Sequence, residues 1–433
     1  GSDKRPIRAN YRHFFLYRSV HMSAQHIQKA HATPAKAMLA SVTGYAMDGF
    51  DLLILGFMLP AITSEFGLSS SQSGSLVTWT LIGAVLGGVI FGPISDRFGR
   101  IRVLTFTILM FSLFTGLCAF AQGYWDLLIY RTLAGVGLGG EFGIGMALIA
   151  EAWPAEKRNR ASAYVGMGWQ LGVLMAAFLT PMLLGIIGWR GMFLVGLLPA
   201  LASFLIRRTM GEPEAFVKHT ASNNDGSLFS RIKLLFRDKV TTKASIGILI
   251  LCSVQNFGYY GLMIWMPSYL SKNFGFSLTK SGLWTAVTVV GMTFGIWLFG
   301  MLSDRFPRWK IFLIYQIGAV VMVVCYAQLS DPTLMLFAGA LMGMFVNGMI
   351  GGYGGLISDL YPVRVRATAQ NLLFNLGRGV GGFGPLVIGM LVAQVSFTAA
   401  ITLLAAIYLL DIFATLFLLP KKQGQDDVLG AIG

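Results

Sequence analysis

The stretch Gly44-Tyr-Ala-Met-Asp-Gly-Phe-Asp51 lies in the middle of an apolar segment that covers about residues 37–62. A helix of this length can cross the hydrocarbon core of a bilayer. Asp48 and Asp51 are three residues apart, so they share one face of such a helix. A carboxylate at mid-membrane costs about 2.5–3.5 kcal/mol on insertion scales. Either both carboxylates pair with polar groups inside a helical bundle, or they line a water-filled path and exchange protons; we favour the second interpretation.

The composition indicates a multi-span membrane protein. Of the 433 residues, 55% are hydrophobic and only 12% are charged, whereas soluble domains carry about 25% charged residues. The sequence shows no nucleophile–base constellation, metal-ligand spacing or phosphate-binding loop, so we expect no enzymatic activity, no cofactor and no metal. All five histidines precede residue 32 or stand at position 219. Carboxylates are therefore the groups that could carry protons inside the membrane.

The apolar segments number about twelve and divide into six and six around a polar, basic stretch. This pattern predicts an all-α membrane protein with two six-helix halves. The predicted spans lie near residues 37–62, 73–94, 103–121, 127–153, 161–187, 192–206, 244–270, 281–302, 311–329, 333–360, 367–393 and 397–419. The predicted domains are an N-terminal tail 1–36 (of which 1–21 resemble cloning residues), an N-terminal half 37–206, a central loop 207–242, a C-terminal half 243–420 and a C-terminal tail 421–433.

The net charge of +14 is explained by where the basic residues stand. Loops on one side of the predicted bundle, including most of the central loop, carry nearly all of the arginines and lysines. The opposite loops carry only Arg190, Lys272 and Lys280. By the positive-inside rule, the central loop and both termini are predicted to be cytoplasmic. Nucleic-acid binding is not needed to explain the charge, and none is expected.

The two halves are copies of each other. Gly92-Pro-Ile-Ser-Asp-Arg-Phe98 recurs 208 residues later as Gly300-Met-Leu-Ser-Asp-Arg-Phe306. Internal repeats of this kind are typical of transporters. The same offset carries three further residues onto identical or similar ones, namely Glu151 onto Asp359, Pro154 onto Pro362 and Arg158 onto Arg366.

These motifs resemble those of the major facilitator superfamily. Gly92-x-x-x-Asp96-Arg97-x-Gly99-Arg100-x-Arg102 resembles the family's signature loop between spans two and three, and the second copy departs from it with Pro307 at the position of Gly99. The resemblance implies twelve helices in two pseudo-symmetric halves and a cytoplasmic gate that forms in the outward-facing state. Orientation alone would explain neither the paired signs of these charges nor their repetition. The implied gate residues are Asp96, Arg97, Arg100, Glu151, Arg158, Asp304, Arg305, Asp359 and Arg366.

Two further charged residues stand in the fourth span. Arg131-x-x-x-Gly135-x-Gly137-x-Gly139 resembles the family's fourth-span motif. Arg131 either extends outward along the helix to reach the polar surface or takes part in proton transfer, as is proposed for the family. Glu141 lies near the bilayer centre, where the cost of a carboxylate indicates function. The candidate proton-coupling residues are Asp48, Asp51, Glu141 and Arg131.

Arg378 is the one arginine that the sequence places deep in the second half. The repeat makes Gln170 its counterpart and makes Asn256 the counterpart of Asp48, which predicts polar pairs around a central cavity. Arg378 either neutralises one of the deep carboxylates or binds an anionic substrate through a two-pronged contact. The candidate substrate-binding residues are Arg378, Gln170, Asn256, Gln255, Tyr259, Asn375, Trp169 and Tyr353.

A charge balance connects these residues to a mechanism. Three deep carboxylates against one deep arginine would leave two uncompensated negative charges in a region of low dielectric constant. At least one carboxylate is therefore expected to be protonated. An anion could enter favourably only together with a proton or another cation, which is the logic of symport.

The motifs Asp48-Gly-Phe-Asp51, Glu141 and Asn375-x-x-Arg378 together resemble the organic-acid symporters of the family, of which the aromatic acid:proton and sialic acid:proton groups are nearest. The resemblance implies a proton-coupled symporter that imports a small organic carboxylate by alternating access. Two alternatives stay open: uptake of a neutral or zwitterionic solute such as a sugar or nicotinate-like compound, and a solute sensor that does not transport. The expected partners are an organic anion, a proton and the lipid bilayer, for a monomer in a bacterial inner membrane.

Overall fold

The computed structural model describes residues 33–198, 201, 205, 210–217, 228–276, 278–384, 387, 388, 391 and 394–421. Every regular element that these residues form is helical. The suspected cloning residues and much of the central loop lie outside them. The α-helices are α1 Pro34–Phe66, α2 Ser70–Phe98, α3 Arg100–Leu117, α4 Tyr124–Leu138, α5 Glu141–Ala152, α6 Arg158–Val195, α7 Leu228–Leu234, α8 Lys239–Phe274, α9 Leu278–Ser303, α10 Arg308–Gln328, α11 Pro332–Gly348, α12 Ile350–Leu360, α13 Arg366–Gly381, α14 Phe397–Leu404 and α15 Ile407–Phe417.

Local sequence signals bound the helix α1, which carries both aspartates. Thr33 is its N-cap and accepts a hydrogen bond from the backbone N–H of Lys36 at 3.4 Å. Pro34 occupies the first turn, where the N–H that proline lacks would have had no partner within the helix. Gly67 ends the helix with a φ of 61°, a left-handed conformation that favours glycine. Asp48 lies near the middle of this helix and therefore at mid-membrane depth.

Nine helices of the described part are long and apolar enough to cross a membrane. They coincide with predicted spans one to four, seven to ten and twelve. Predicted spans five and six adjoin in α6, which changes direction at Gly188, where φ is 64°. Predicted span eleven begins with α13, which is only 16 residues long and carries many polar side chains. The polar character of α13 follows from its position, because it faces the other half of the protein rather than lipid.

Small residues bring equivalent helices together in the two halves. A Cβ atom added to Gly83 of α2 would clash with the backbone oxygen of Thr132 in α4. The same clash would occur between Gly291 of α9 and Ala340 of α11. Each member of the second pair stands 208 positions after its equivalent, so the sequence repeat is also a repeat of helix packing.

The contacts between the halves follow the same symmetry. Gly92 of α2 lies against Thr368 and Asn371 in α13, while Gly300 of α9 lies against Arg160 and Ala163 in α6. The first contact joins α2 of the N-terminal half to α13 of the C-terminal half. The second joins α9 of the C-terminal half to α6 of the N-terminal half. The interface between the halves is therefore pseudo-twofold, and it encloses the candidate site.

Candidate functional site

A narrow cavity lies between the two halves, close to the middle of the helices that line it. Its wall is formed by aromatic rings, side-chain amides and one guanidinium group. Such a mixture of apolar surface and a few polar groups is typical of small-molecule sites. The lining residues are Tyr45, Trp169, Gln255, Asn256, Tyr259, Tyr260, Asn347, Ile350, Phe374 and Arg378.

Arg378 is the cation of this cavity. It projects from α13, and its two terminal nitrogens donate to the two carboxylate oxygens of Asp48 at 3.2 and 3.3 Å. Its Nε donates to the hydroxyl of Tyr260 at 3.2 Å, and its guanidinium carbon lies 5.0 Å from the ring centre of Trp169. Arg378 and Asp48 thus form a buried ion pair that joins the two halves beside the cavity, and Asp48 itself is not among the residues that line it.

Four of the other candidate binding residues also line the cavity: Gln255, Asn256, Tyr259 and Trp169. Gln255 donates from Nε2 to Asn347 Oδ1 at 2.5 Å, and its own Oε1 has no hydrogen-bond partner in the described part of the chain. The indole N–H of Trp169 donates to the hydroxyl of Tyr259 at 3.2 Å. The cavity therefore offers an unpaired amide oxygen besides its arginine.

Three candidates lie elsewhere. Tyr353 packs inside the C-terminal half, donates to the carbonyl of Leu251 at 3.1 Å and stacks on Phe312. Asn375 donates to the carbonyl oxygen of Gly139 at 2.8 Å, so it ties α13 to the end of α4. Gln170 is buried next to Trp169 but is not among the residues that line the cavity. Their depth was visible in the sequence, whereas the rotation of each helix was not.

Asp51 lies in a separate polar cluster inside the N-terminal half. Arg131 donates to its two carboxylate oxygens at 3.2 and 2.9 Å, and Thr115 donates to one of them at 2.7 Å. Arg131 is fully buried. Of the two alternatives for Arg131, extension to the polar surface does not occur in this conformation, because Asp51 pairs with it inside the bundle.

Two deep carboxylates have no cationic partner within the described residues. Glu141 accepts a hydrogen bond from Thr107 at 2.7 Å, and its second oxygen has none. Asp411 in α15 is also fully buried, and neither of its oxygens has a partner in the same part of the chain. Asp411 was not predicted as a functional residue, although an aspartate inside the apolar last span is a visible signal. With Asp411 and Arg131 included in the charge balance, four deep carboxylates stand against two deep arginines. Two negative charges would still be uncompensated if all four carboxylates were ionised.

The predicted gate residues Asp96 and Asp304 close the interface at the face where the basic residues concentrate, which we call the basic face. Asp96 accepts hydrogen bonds from the backbone N–H groups of Ala367 and Thr368 at 3.2 and 2.7 Å. Asp304 accepts one from the N–H of Arg160 at 3.3 Å. Each carboxylate thus caps the first turn of a helix in the opposite half, where the helix dipole favours a negative charge.

Two charge relays reinforce this closure. Glu151 pairs with Arg100 of its own half at 2.9 Å and lies 3.7 Å from Arg366 of the other half. Asp359 pairs with Arg308 of its own half at 2.6 Å and with Arg158 of the other half at 2.5 Å. The two relays are related by the 208-residue offset. In this conformation the basic face is closed by equivalent bonds from both halves.

Three residues at this face differ from the sequence prediction. Arg97 and Arg305 are exposed and form no ion pair within the described residues. Arg308, which was not singled out, occupies the relay instead. The repeat could have identified it, because it stands 208 positions after Arg100.

The central loop contributes a further residue to this face. The carboxylate of Glu212 accepts hydrogen bonds from the N–H groups of Arg100, Ile101 and Arg102 at 2.7, 3.2 and 3.1 Å. It therefore caps α3 from outside the bundle. Burial raises the pKa of Glu212, while the three N–H donors act against that shift. No pattern in the sequence paired this glutamate with the start of α3.

Comparison with known proteins gives a consistent result. The Major Facilitator Superfamily matches residues 42–329 and residues 268–430. A protein of Haemophilus influenzae, named "Putative metabolite transport protein", is 62% identical over 394 residues, which are 90% of this chain and 97% of the relative. The cis,cis-muconate transport protein of Acinetobacter baylyi is 28% identical over 390 residues, which are 89% of this chain and 94% of the relative.

Among solved structures, the chain resembles the proton:xylose symporter XylE bound to 6-bromo-6-deoxy-D-glucose. The TM-score is 0.75 and the identity is 20%, and the match covers 93% of this chain and 99% of the other. At this identity the likeness concerns the fold alone. It agrees with the two pseudo-symmetric halves described above.

Proposed function

The chain belongs to the Major Facilitator Superfamily and is a multi-pass membrane transporter, and on that premise we propose that it is a proton-coupled symporter that imports a small organic carboxylate by alternating access. The observation that carries the proposal is the pair that the cavity residue Arg378 forms with Asp48. A guanidinium group with two parallel N–H donors binds any carboxylate in the same two-pronged manner. Asp48 therefore occupies the position that a substrate carboxylate would take.

The coupling follows from competition for Arg378. While Asp48 is ionised, it holds the guanidinium group and excludes another anion. When a proton binds to Asp48, its attraction to Arg378 weakens, and the substrate carboxylate takes its place on the two N–H donors. The cavity contains one positive and one negative charge before and after this exchange. Proton and anion therefore enter together, and a proton gradient directed inward drives uptake.

The wall of the cavity favours a flat substrate. The rings of Tyr45, Trp169 and Phe374 surround Arg378, and flat π-systems stack well against such rings. The unpaired oxygen of Gln255 suits a donor on the substrate. The similarity to the Acinetobacter relative, which is named a cis,cis-muconate transport protein, supports a carboxylate substrate.

Alternating access requires the basic face to open. By the positive-inside rule this face is cytoplasmic, together with both termini, in a bacterial inner membrane. The relays through Glu151 and Asp359 close it in this conformation. The substrate would be released toward the cytoplasm after Arg158 and Arg366 leave their partners in the opposite half.

A binding screen on the purified protein tests this proposal. Benzoate, 4-hydroxybenzoate, nicotinate, cis,cis-muconate and sialic acid are each compared with a neutral analogue by thermal shift, at acidic and neutral pH. A ligand at 100 times its Kd stabilises the folded protein by about 2.7 kcal/mol. We expect a carboxylate hit that strengthens at acidic pH and disappears in Arg378→Ala.

Variants separate the proton from the anion. Asp48→Asn mimics the protonated aspartate, so it should bind the carboxylate equally well at both pH values but lose accumulation driven by a pH gradient in proteoliposomes. Glu156→Gln, which removes an exposed carboxylate, serves as the control and should behave like the unaltered protein. A pH-dependent hit that persists in Asp48→Asn would assign the proton to another residue.

One observation favours a second candidate, the uptake of a neutral or zwitterionic solute. In this structure Arg378 is already neutralised by Asp48 and held by Tyr260 and Trp169, so it could serve the structure alone. Hits confined to neutral solutes, with affinities unchanged in Arg378→Lys, would establish this candidate and reject the carboxylate symporter.

A further inference from the structure

Asp411 belongs to a second acidic site, outside the Arg378 cavity. Its carboxylate lies in α15, is fully buried and has no hydrogen-bond partner on either oxygen within the described residues. The other deep carboxylates are better compensated, since Asp48 and Asp51 each pair with an arginine and Glu141 accepts a bond from Thr107. Asp411 is therefore the least stabilised carboxylate in its ionised form.

The surroundings of Asp411 form a polar seam in otherwise apolar helices. Tyr408 and Thr415 lie on the same face of α15 as Asp411, because they stand three residues before it and four after it. Thr415 accepts a hydrogen bond from Gln316 of α10 at 2.8 Å. The hydroxyl of Tyr408 and the Oε1 of Gln316 have no partner in the described part of the chain. Several unpaired oxygens in one buried seam require an explanation such as a bound proton, water or ion.

Within the described residues, no positively charged group faces Asp411. Its titratable neighbours are Cys252 of α8, Tyr353 of α12 and Tyr408 of its own helix. The helix α10 contributes Gln316, which does not titrate, and α14 contains no titratable residue. An isolated ionised carboxylate is strongly disfavoured in such surroundings. The site therefore accommodates the neutral carboxylic acid rather than the anion.

The helix α8 contributes residues both to this seam and to the central cavity. Cys252 faces Asp411, and its carbonyl oxygen accepts a hydrogen bond from the Asn256 side chain at 2.8 Å. Asn256 lines the cavity. On the seam side, the hydroxyl of Tyr408 lies so close to Gly258 that a Cβ atom there would clash with it. Movement of α8 during transport would therefore change the environment of Asp411.

We propose that Asp411 is a second proton-binding site, located in the C-terminal half, which holds a proton in this conformation and releases it when α8 moves. This site is distinct from Asp48, where the proton competes with an arginine. Only the release step rests on the proposed transport cycle; the bound proton does not depend on it.

Infrared spectroscopy of the full chain in lipid nanodiscs, without any substrate, tests the proposal. A protonated carboxylic acid has a C=O stretching band that ionised carboxylates lack. We expect one such band to be present at neutral pH in the unaltered protein and missing in Asp411→Asn. The matched control Thr415→Val, which alters the same helix face without removing an acid, should keep it. An unchanged set of bands in Asp411→Asn would show that Asp411 is ionised, which overturns the proposal.

Transfer to D₂O then tests release. We expect the Asp411 band to shift to its deuterated position at least tenfold faster than the slowest backbone amides of the same sample exchange. A shift only as fast as those amides would mean that the proton is sealed in a static core, which also overturns the proposal. If Asp411→Asn does not fold, Asp411→Glu replaces it, because the longer side chain keeps an acid but moves it and should change the frequency of the band, and no change would contradict the assignment. Since no substrate is used, this result is independent of whether carboxylates are transported.

Discussion

The two aspartates of α1 differ in what they connect. Asp48 pairs with Arg378 across the interface between the halves, so its bond must break or rearrange when the halves move. Asp51 pairs with Arg131 inside the N-terminal half, with Thr115 completing the site. The first pair is suited to coupling, whereas the second joins α1, α3 and α4 into one body.

The Asp51–Arg131 pair should be important for stability. Replacement of Arg131 by Met leaves a buried carboxylate without its partner, which typically costs about 3–5 kcal/mol. The double variant Arg131→Met/Asp51→Leu removes both charges, and we expect it to recover most of that loss. Thermal midpoints in detergent measure the effect. If the two single substitutions simply add in the double variant, the charges do not interact, and the pair has no stabilising role.

These partnerships explain why some of the site was predictable from sequence. Depth in an apolar segment identified Asp48, Asp51, Glu141 and Arg378, because a charge at mid-membrane is rarely retained without a use. The partner of each carboxylate was not predictable. Residues three positions apart on a helix differ by about 60° in direction, which is enough for one to face the opposite half and the other its own.

At the scale of helices, close packing depends on glycines at fixed positions. A Cβ atom on Gly87 of α2 would clash with the backbone of Val136 in α4, whereas one on Gly185 of α6 would meet nothing within 4 Å. We therefore expect Gly87→Ala to lower the thermal midpoint, since two backbones would have to separate. Gly185→Ala should raise it slightly, because alanine is favoured over glycine in a helix by about 1 kcal/mol.

Thermal denaturation of both variants in the same detergent checks this contrast. Equal midpoints for the two would mean that α2 and α4 are not in the tight contact that the structure shows.

The positions of the helices could be predicted from the sequence, as the capped ends of α1 illustrate. The turn at Gly139 and Gly140 could not be predicted in the same way. It separates α4 from α5 within one predicted span, and glycine-rich stretches are compatible with a continuous helix as well as with a bend.

At the scale of the whole molecule, the repeat accounts for most of the architecture. One offset relates the helix pairs, the interface contacts and the charge relays, so the sequence alone predicted two equivalent halves. The functional groups break this symmetry. Asp48 and Arg378 have Asn256 and Gln170 as their repeat counterparts, so each half supplies one charge of the central pair. In the transport cycle proposed above, the shared scaffold would support rotation of the halves, and the unshared charges would supply the coupling.

The symmetric closure of the basic face leads to a prediction about conformation. Arg158 bonds Asp359 across the interface and is partly exposed, so loss of the bond should cost about 1–2 kcal/mol, between the values for exposed and buried pairs. Such a change raises the population open at this face by about fivefold to thirtyfold. Ser162 reports on the opening, because it is fully buried against Gly354 of the opposite half.

Maleimide labelling of Ser162→Cys, in a chain whose native cysteines are replaced by alanine, measures this population. We expect the labelling rate to rise when Arg158→Gln is added. Lys157→Gln removes the same charge from the neighbouring, exposed position and should leave the rate unchanged. Equal increases in both variants would attribute the effect to surface charge, and no increase in either would mean that the relay does not hold the halves together. A rise confined to Arg158→Gln would establish that bonds between repeated elements set the balance between the closed and open states.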